Sequence, residues 1–256
     1  QGAYVAQYLD FKQMMINIFC FNIVWVLIEC LPVLFAVRYG IDLWIWLRSV
    51  LGKKGVAILS TVISLANFGW YAVAANLFAS SMINLFGAFG LTLDPTIWKP
   101  ILGTLCVVLG TLIALGGPEV IKWTNRFLVT ALLAVGVIIV VLCFVVVPMK
   151  DIVAVKPVLE TGVSPLQNFM VSAEGNVAFA FSWSTQALVM PRLAKTERGG
   201  YWGTTLSYGV VAPFFVAAGG VMALAMFVKT GVYESDPTTM LATLCGSGVA
   251  LLSLLL

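Results

Sequence analysis

The sequence predicts an all-α polytopic membrane protein, and three observations support this. Of the 256 residues, 61% are hydrophobic and only 10% are charged, whereas soluble domains average about 25% charged residues. The stretch Gly55–Leu85 has no charged residue, and about 20 apolar residues are enough for a helix to cross a bilayer. Polar segments separate further apolar runs along the chain. We therefore expect about six full membrane spans with truncated spans at both ends.

The expected spans can be placed in order along the chain. They are Met14–Val37, Gly55–Leu85, Ile101–Leu115, Phe127–Val147, Leu166–Met190 and Tyr208–Val228. A further span begins at Thr239, and Gln1–Leu9 fits the end of another helix. Because the chain opens without Met and closes inside an apolar run, we expect an internal piece of a longer transporter-like chain. We expect residues 1–256 to form a single transmembrane domain.

The distribution of positive charge predicts the orientation of these spans. Nine of the 14 lysines and arginines lie in alternate loops. These loops are Arg38–Lys54, Glu119–Arg126 and Arg192–Arg198. Positively charged loops remain on the cytoplasmic side, so we expect these three loops in the cytoplasm and the protein in a cell membrane, either plasma or inner.

Several classes of function find no support in the composition. There is no histidine and no glycine-rich phosphate loop, and the five cysteines lie in apolar segments without metal-ligand spacing. We therefore predict no enzymatic activity and no metal site, since a membrane enzyme would need clustered acids, histidines or a nucleophile. The absence of a basic run predicts no nucleic-acid partner. A structural or receptor-like membrane domain remains an alternative to a transporter.

One face of the Gly55–Leu85 span is polar. Asn67, Trp70 and Tyr71 are spaced i, i+3 and i+4, so they share a helical face. In hydrocarbon, an amide, an indole and a phenol must face protein or a water-filled cavity. We predict that these residues bind a small, flat, polar molecule. The alternative is helix packing with a few hydrogen bonds.

The span Leu166–Met190 contains polar residues in its apolar run. Ser172, Glu174, Gly175 and Asn176 predict a helix broken near Gly175, because broken helices expose backbone groups to substrates in many transporters. The alternative is a continuous span that is kinked at the glycine. The candidate substrate-binding residues here are Asn176, Phe179, Phe181, Ser182 and Trp183.

Two carboxylates lie within the predicted spans. A charge at the bilayer centre costs at least about 2.5–3.5 kcal/mol on insertion scales, so each needs a reason. Glu174 is the candidate for ion coupling. Glu29 precedes Leu31 and Pro32 and is expected to pair with a neighbouring helix.

Several stretches resemble the nucleobase–cation symporters, the purine/cytosine permease group. RYGIDLWIWLRSVLGKKG, which includes Arg48, resembles a cytoplasmic motif of that family, and Phe68-Gly69 resembles a pair in the helix that follows. MPRLAKTERGGYWG is similar to the loop after the family's sixth helix, with Arg192 and Lys195 in matching positions. GPEVIKWTNR resembles the turn between helices four and five.

The resemblance implies a LeuT-type inverted repeat of five plus five helices, seen here from the end of helix one to the start of helix eight. It implies ion-coupled import of a flat heterocycle such as a purine or cytosine by alternating access. Sodium or a proton would drive transport from a site outside this fragment. The chain departs from the family at Asn67, Ala180 and Val189, where a tryptophan, another aromatic residue and an aspartate are expected.

A second resemblance keeps another substrate class open. SAEGNVAFAFSWSTQ is also similar to a stretch of the amino-acid and auxin permeases. This predicts a related fold with proton coupling and an amino-acid substrate.

Overall fold

The chain is helical throughout the part that the structure describes. The computed structural model describes residues 1–159, 162, 164–183 and 188–246, which form helices, turns and short loops without a strand. The helices are α1 (Gly2–Tyr8), α2 (Phe11–Tyr39), α3 (Leu43–Ala88), α4 (Pro95–Leu115), α5 (Gly117–Val146), α6 (Met149–Ala154), α7 (Pro165–Phe181), α8 (Glu197–Thr230) and α9 (Pro237–Cys245). The prediction of an all-α protein is confirmed.

Five of these helices are long and apolar enough to cross a membrane. They are α2, α3, α4, α5 and α8. Large apolar side chains point outward from them, with Leu115 78%, Val145 75% and Phe127 66% exposed. Lipid is a favourable neighbour for such surfaces, whereas water is not. The structure is therefore compatible with an integral membrane protein.

Helix α2 is assembled from several segments. Asp10 caps its start, where its Oδ1 accepts a hydrogen bond from the Gln13 backbone N–H at 2.8 Å. A π-helical segment follows at Ile16–Phe21. A turn at Cys30 and Leu31 then precedes Pro32, which begins the last helical segment. This irregularity matters because the residues just after the π-helical segment face a cavity described below.

Helix α3 contains a backbone kink. It is 46 residues long, and Gly52 within it has φ 67° and ψ 176°. A side chain is strained at positive φ, so glycine suits this position. The predicted span Gly55–Leu85 lies entirely in the part of α3 after Gly52. Asp42 caps the start of α3 by accepting a hydrogen bond from the Ile45 backbone N–H at 3.0 Å.

The chain divides into two compact units. The first contains Gln1–Ile63 and Val153–Gly220, and the second contains Ser64–Ile152 and the described residues after Gly220. The first unit packs α1, α2 and α7 with the early part of α8. The boundaries between the units fall inside α3, inside α6 and inside α8.

Close approach of helices in the first unit depends on small residues. Gly2 on α1 lies against the backbone of α8 at Val216 and Gly220, where a Cβ would collide with main-chain atoms. Membrane helices often pack in this way, because glycine lets two backbones approach closely. The core beside this contact includes Met14, which is completely buried.

In the second unit, polar side chains hold α9 at both ends. Asn84 Nδ2 donates to Thr238 Oγ1 at 3.1 Å near the start of α9. At its other end, Lys229 Nζ donates to the carbonyls of Thr243 at 3.1 Å and Leu244 at 2.9 Å. A cation is favourable at a helix C-terminus, where backbone carbonyls lack helical partners.

The predicted break near Gly175 is wrong. Helix α7 is continuous from Pro165 to Phe181. Gly175 instead makes room for Tyr4 of α1, since a Cβ at this position would lie 2.8 Å from the Tyr4 ring.

The helical part of the predicted span Leu166–Met190 is therefore shorter than expected. It ends in a turn at Ser182 and Trp183, and residues 184–187 lie outside the described residues. Of the span predicted from Thr239, the structure describes the helix as far as Cys245, and residues 247–256 lie outside the described part.

Candidate functional site

A cavity of about 220 Å³ lies inside the first unit, between α2, α7 and α8. Its polar and aromatic lining consists of Asn22, Asn176, Phe179, Trp183 and Tyr208, and the remaining residues are apolar. Pockets for drug-sized ligands start at about 300 Å³, so this cavity suits a smaller molecule.

Two asparagines give the cavity its hydrogen-bonding character. Asn22 on α2 is 6% exposed and Asn176 on α7 is 3% exposed. Asn22 Oδ1 and Asn176 Nδ2 have no hydrogen-bond partner among the described residues. A buried polar atom left without a partner costs about 1–3 kcal/mol. Two residues of the cavity wall therefore contain, respectively, an acceptor and a donor that lack a partner among the described residues.

Aromatic rings form a second part of the wall. Phe179 and Trp183 come from the C-terminal end of α7 and the turn that follows it, and Tyr208 comes from α8. The Tyr208 hydroxyl donates to the backbone carbonyl of Trp183 at 3.4 Å, which ties this turn to α8. Flat rings stack favourably on such side chains.

The two other helices that line the cavity, α2 and α8, each contain a π-helical segment beside it. In α2 the segment Ile16–Phe21 ends immediately before Asn22. In α8 the segment Ser207–Val211 contains Tyr208. Single π-helical turns occur frequently at functional sites, so the position of these two is consistent with a binding role for the cavity.

Further polar groups lie between α2 and α7. Asn17 Nδ2 donates to the Phe169 carbonyl at 3.3 Å. Asn17 Oδ1 and Ser172 Oγ are buried and have no partner among the described residues. Since Ser172 and Asn176 are one helical turn apart, they share a face of α7.

The structure brings some of the predicted α7 residues together and not others. Asn176, Phe179 and Trp183 line the same cavity. The Ser182 hydroxyl donates to the Phe179 carbonyl at 2.6 Å, so it closes the end of the helix. Phe181 is 46% exposed. Its ring packs edge-on against the Trp25 ring, with 6.4 Å between the ring centroids.

The remaining predicted site residues lie elsewhere. Glu174, the ion-coupling candidate, is exposed on α7. Asn67 and Trp70 are half-buried on α3, and Tyr71 is 65% exposed. These three belong to the second unit, whereas the cavity lies within the first.

The predicted loop motifs contain two ion pairs in the first unit. Arg192 Nη1 lies 2.8 Å from Asp42 Oδ2. Arg38 binds both oxygens of Glu197, at 2.7 and 3.0 Å. Arg48 and Lys195 are exposed. Arg192 thus connects the short turn Pro191–Leu193, which precedes α8, to the start of α3.

Sequence reasoning missed Asn22 and Tyr208. A signal for Asn22 was present, because Asn17 and Asn22 are both amides in the apolar run Met14–Val37. A tyrosine near the end of a span gave no comparable signal, since tyrosines are common at membrane interfaces.

Comparison of the chain with models of protein families, with curated proteins and with solved structures gave no match.

Proposed function

We propose that this protein is a secondary active transporter that binds a small, flat, polar ring in the cavity between α2, α7 and α8. The observation that supports this proposal is the pair Asn22 and Asn176, two buried amides with an unpartnered acceptor and donor beside aromatic side chains. Within a helical membrane bundle, such a cavity is typical of a solute site.

The chemistry of this wall favours a heterocycle with a polar edge. Purines and pyrimidines present N–H donors and carbonyl or ring-nitrogen acceptors side by side, and an asparagine amide can pair with both kinds of group. The aromatic side chains add stacking worth about 0.5–1.5 kcal/mol for each ring pair. A nucleobase-like substrate satisfies the amides and stacks on the rings at the same time.

The proposal extends to the fold and the family. We place the chain with the nucleobase–cation symporters and assign it a LeuT-type inverted repeat. Alternating access would expose the cavity to each side of the membrane in turn, with sodium or a proton as the coupling ion. The protein would lie in a cell membrane with the segment Arg38–Lys54 in the cytoplasm; this segment was predicted as a loop, but it contains the first residues of α3, which begins at Leu43.

Uptake of radiolabelled compounds into proteoliposomes tests this function. Cytosine, adenine, uracil and hydantoin are compared with a panel of amino acids, each with and without a sodium or proton gradient. Saturable uptake of a ring compound supports the proposal. Uptake of amino acids alone assigns the chain to the amino-acid permeases, and no saturable flux of any compound favours a structural membrane domain.

A further inference from the structure

Glu29 is a half-buried glutamate beside the contact between α2 and α8. It lies in α2, and both of its oxygens are buried and without a hydrogen-bond partner among the described residues. The ion pairs found in the described part of the chain use Glu197, Glu119 and Asp42, so none of them neutralises Glu29. We expected Glu29 to pair with a neighbouring helix, but no charged side chain among the described residues pairs with it.

Glu29 is not part of the cavity wall, but it lies near two residues that are. Glu29 and Asn22 are seven residues apart, which places them two turns apart on one face of α2. The opposing helix is α8, where the Tyr208 phenol interacts electrostatically with Glu29 and also lines the cavity. In the described part of the chain, Cys30 on the same helix and Tyr208 on α8 interact electrostatically with Glu29, and the Tyr201 hydroxyl of α8 donates to the nearby Leu27 carbonyl.

A buried carboxyl without a cation is more stable with a proton than without one. At membrane depth an ionised acid is energetically costly, and such acids mark proton pathways in many pumps and transporters. Histidine, the usual proton carrier near neutral pH, is absent from this sequence. Glu174 is exposed, which leaves Glu29 as the better-placed acid.

We propose that Glu29 carries the coupling proton of the transport cycle, an inference that rests on the proposed transport function. When the cavity opens to the proton-rich side, a hydronium ion gives its proton to Glu29: one O–H bond of the hydronium breaks, an O–H bond forms on the carboxylate, and a water molecule is left. When the cavity opens to the other side, the O–H bond of Glu29 breaks and the proton passes to water there. In this scheme Glu29 carries one proton in each transport cycle.

The test compares Glu29→Gln with Glu119→Gln in the intact protein, using labelled cytosine and adenine in proteoliposomes. Glu119 is an exposed glutamate on α5 and serves as the matched control. Glutamine mimics a permanently protonated carboxyl. We expect Glu29→Gln to keep the exchange of internal for external substrate, since exchange needs no proton release. It should lose accumulation driven by a proton gradient, so that internal and external concentrations become equal. Glu119→Gln should retain both activities.

Infrared spectroscopy of the same proteins provides a readout that does not depend on transport. The carbonyl band of a protonated carboxyl should be present in the wild type, change reversibly with bulk pH, and be absent from Glu29→Gln. If Glu29→Gln fails to fold, Glu29→Asp is measured instead. The carbonyl band should then shift in frequency if it belongs to residue 29.

Two results overturn the proposal: a Glu29→Gln protein that accumulates substrate as the wild type does, or a wild-type spectrum without a band assignable to Glu29. A wild type that moves none of the ring compounds contradicts the transport function instead. The infrared band then decides alone whether Glu29 exchanges a proton.

Discussion

At the scale of single residues, the cavity amides are costly for folding. Asn22 and Asn176 are almost fully buried, yet each leaves a polar atom without a partner among the described residues. A leucine at either position would not bury a polar atom without a hydrogen-bond partner. Retaining an unsatisfied polar group in the native state makes sense where a ligand completes its hydrogen bonds, as sites often sacrifice stability for function.

This reasoning predicts opposite effects of Asn176→Leu on binding and on stability. The KM for the transported ring should rise about tenfold, because a lost hydrogen bond near the upper end of about 0.5–1.5 kcal/mol has this effect. The melting temperature in detergent should stay the same or rise. Uptake kinetics and thermal denaturation measure the two effects.

The matched control is Asn125→Leu, since Asn125 is an exposed asparagine on α5. It should change neither quantity. An Asn176→Leu protein with normal KM would show that the cavity is not the substrate site.

Part of this site could be predicted from the sequence alone. Asn176, Phe179 and Trp183 stood out because they follow one another within a single predicted span, where helical spacing indicates which residues share a face. Asn22 and Tyr208 did not, since one sequence does not say which helices pack against α7. The cavity is a tertiary feature and needs coordinates.

At the scale of elements, glycines decide how closely α8 approaches α2. Gly200 at the start of α8 is buried, and a Cβ there would press on the Val37 side chain of α2 and on Ala194. Gly203, one turn later on the same helix, has open space around it. The two glycines therefore form a matched pair for testing this packing.

Gly200→Ala should lower the free energy of unfolding by about 1–3 kcal/mol, which is the usual cost of overpacking. Gly203→Ala should leave it unchanged or raise it slightly, because alanine favours helix. Thermal or chemical denaturation in detergent measures both variants. Equal stabilities would show that α2 and α8 do not meet at Gly200.

The lysine at the end of α9 leads to a prediction about local stability. Removing the two hydrogen bonds from Lys229 by Lys229→Met should weaken the C-terminal turn of α9 by up to about 2 kcal/mol. Hydrogen exchange should then become faster in residues 237–246. Lys150→Met, which removes an exposed lysine after α5, should leave this exchange unchanged.

The elements also show why glycine is an ambiguous signal. Gly52 does interrupt regular helix in α3, whereas Gly175 packs against Tyr4 within a continuous α7. Both lie in stretches that the sequence marks as irregular or polar. The missing side chain permits a kink or a close contact, and the tertiary neighbour determines which one occurs.

At the scale of the whole molecule, composition predicted the helical class well, because hydrophobic segments of bilayer length dominate the chain. It could not predict the division into two compact units, since the boundaries fall inside α3, α6 and α8 rather than in loops. The asymmetry of positive charge predicts, in addition, which side of the membrane each loop faces.

Single cysteines in a background without the five native ones test this orientation. Lys53→Cys and Arg126→Cys should react with a membrane-impermeant thiol reagent only from the cytoplasmic side. Lys150→Cys should react only from the opposite side. Labelling of intact cells against inverted vesicles separates these outcomes, and labelling of Lys53→Cys and Lys150→Cys from one side would contradict the predicted orientation.

The two π-helical turns beside the cavity have a mechanical consequence. A π turn contains one more residue than an α turn. If the position of this extra residue shifts along the helix, the rest of the helix stays folded. Each such step rotates the preceding side chains by about 100° around the axis. Moving the extra residue in α2 past Asn22 would turn this amide away from the cavity, and the same step in α8 would turn Tyr208. Rotation of these side chains about their helix axes would change the wall of the cavity while the helices keep their positions.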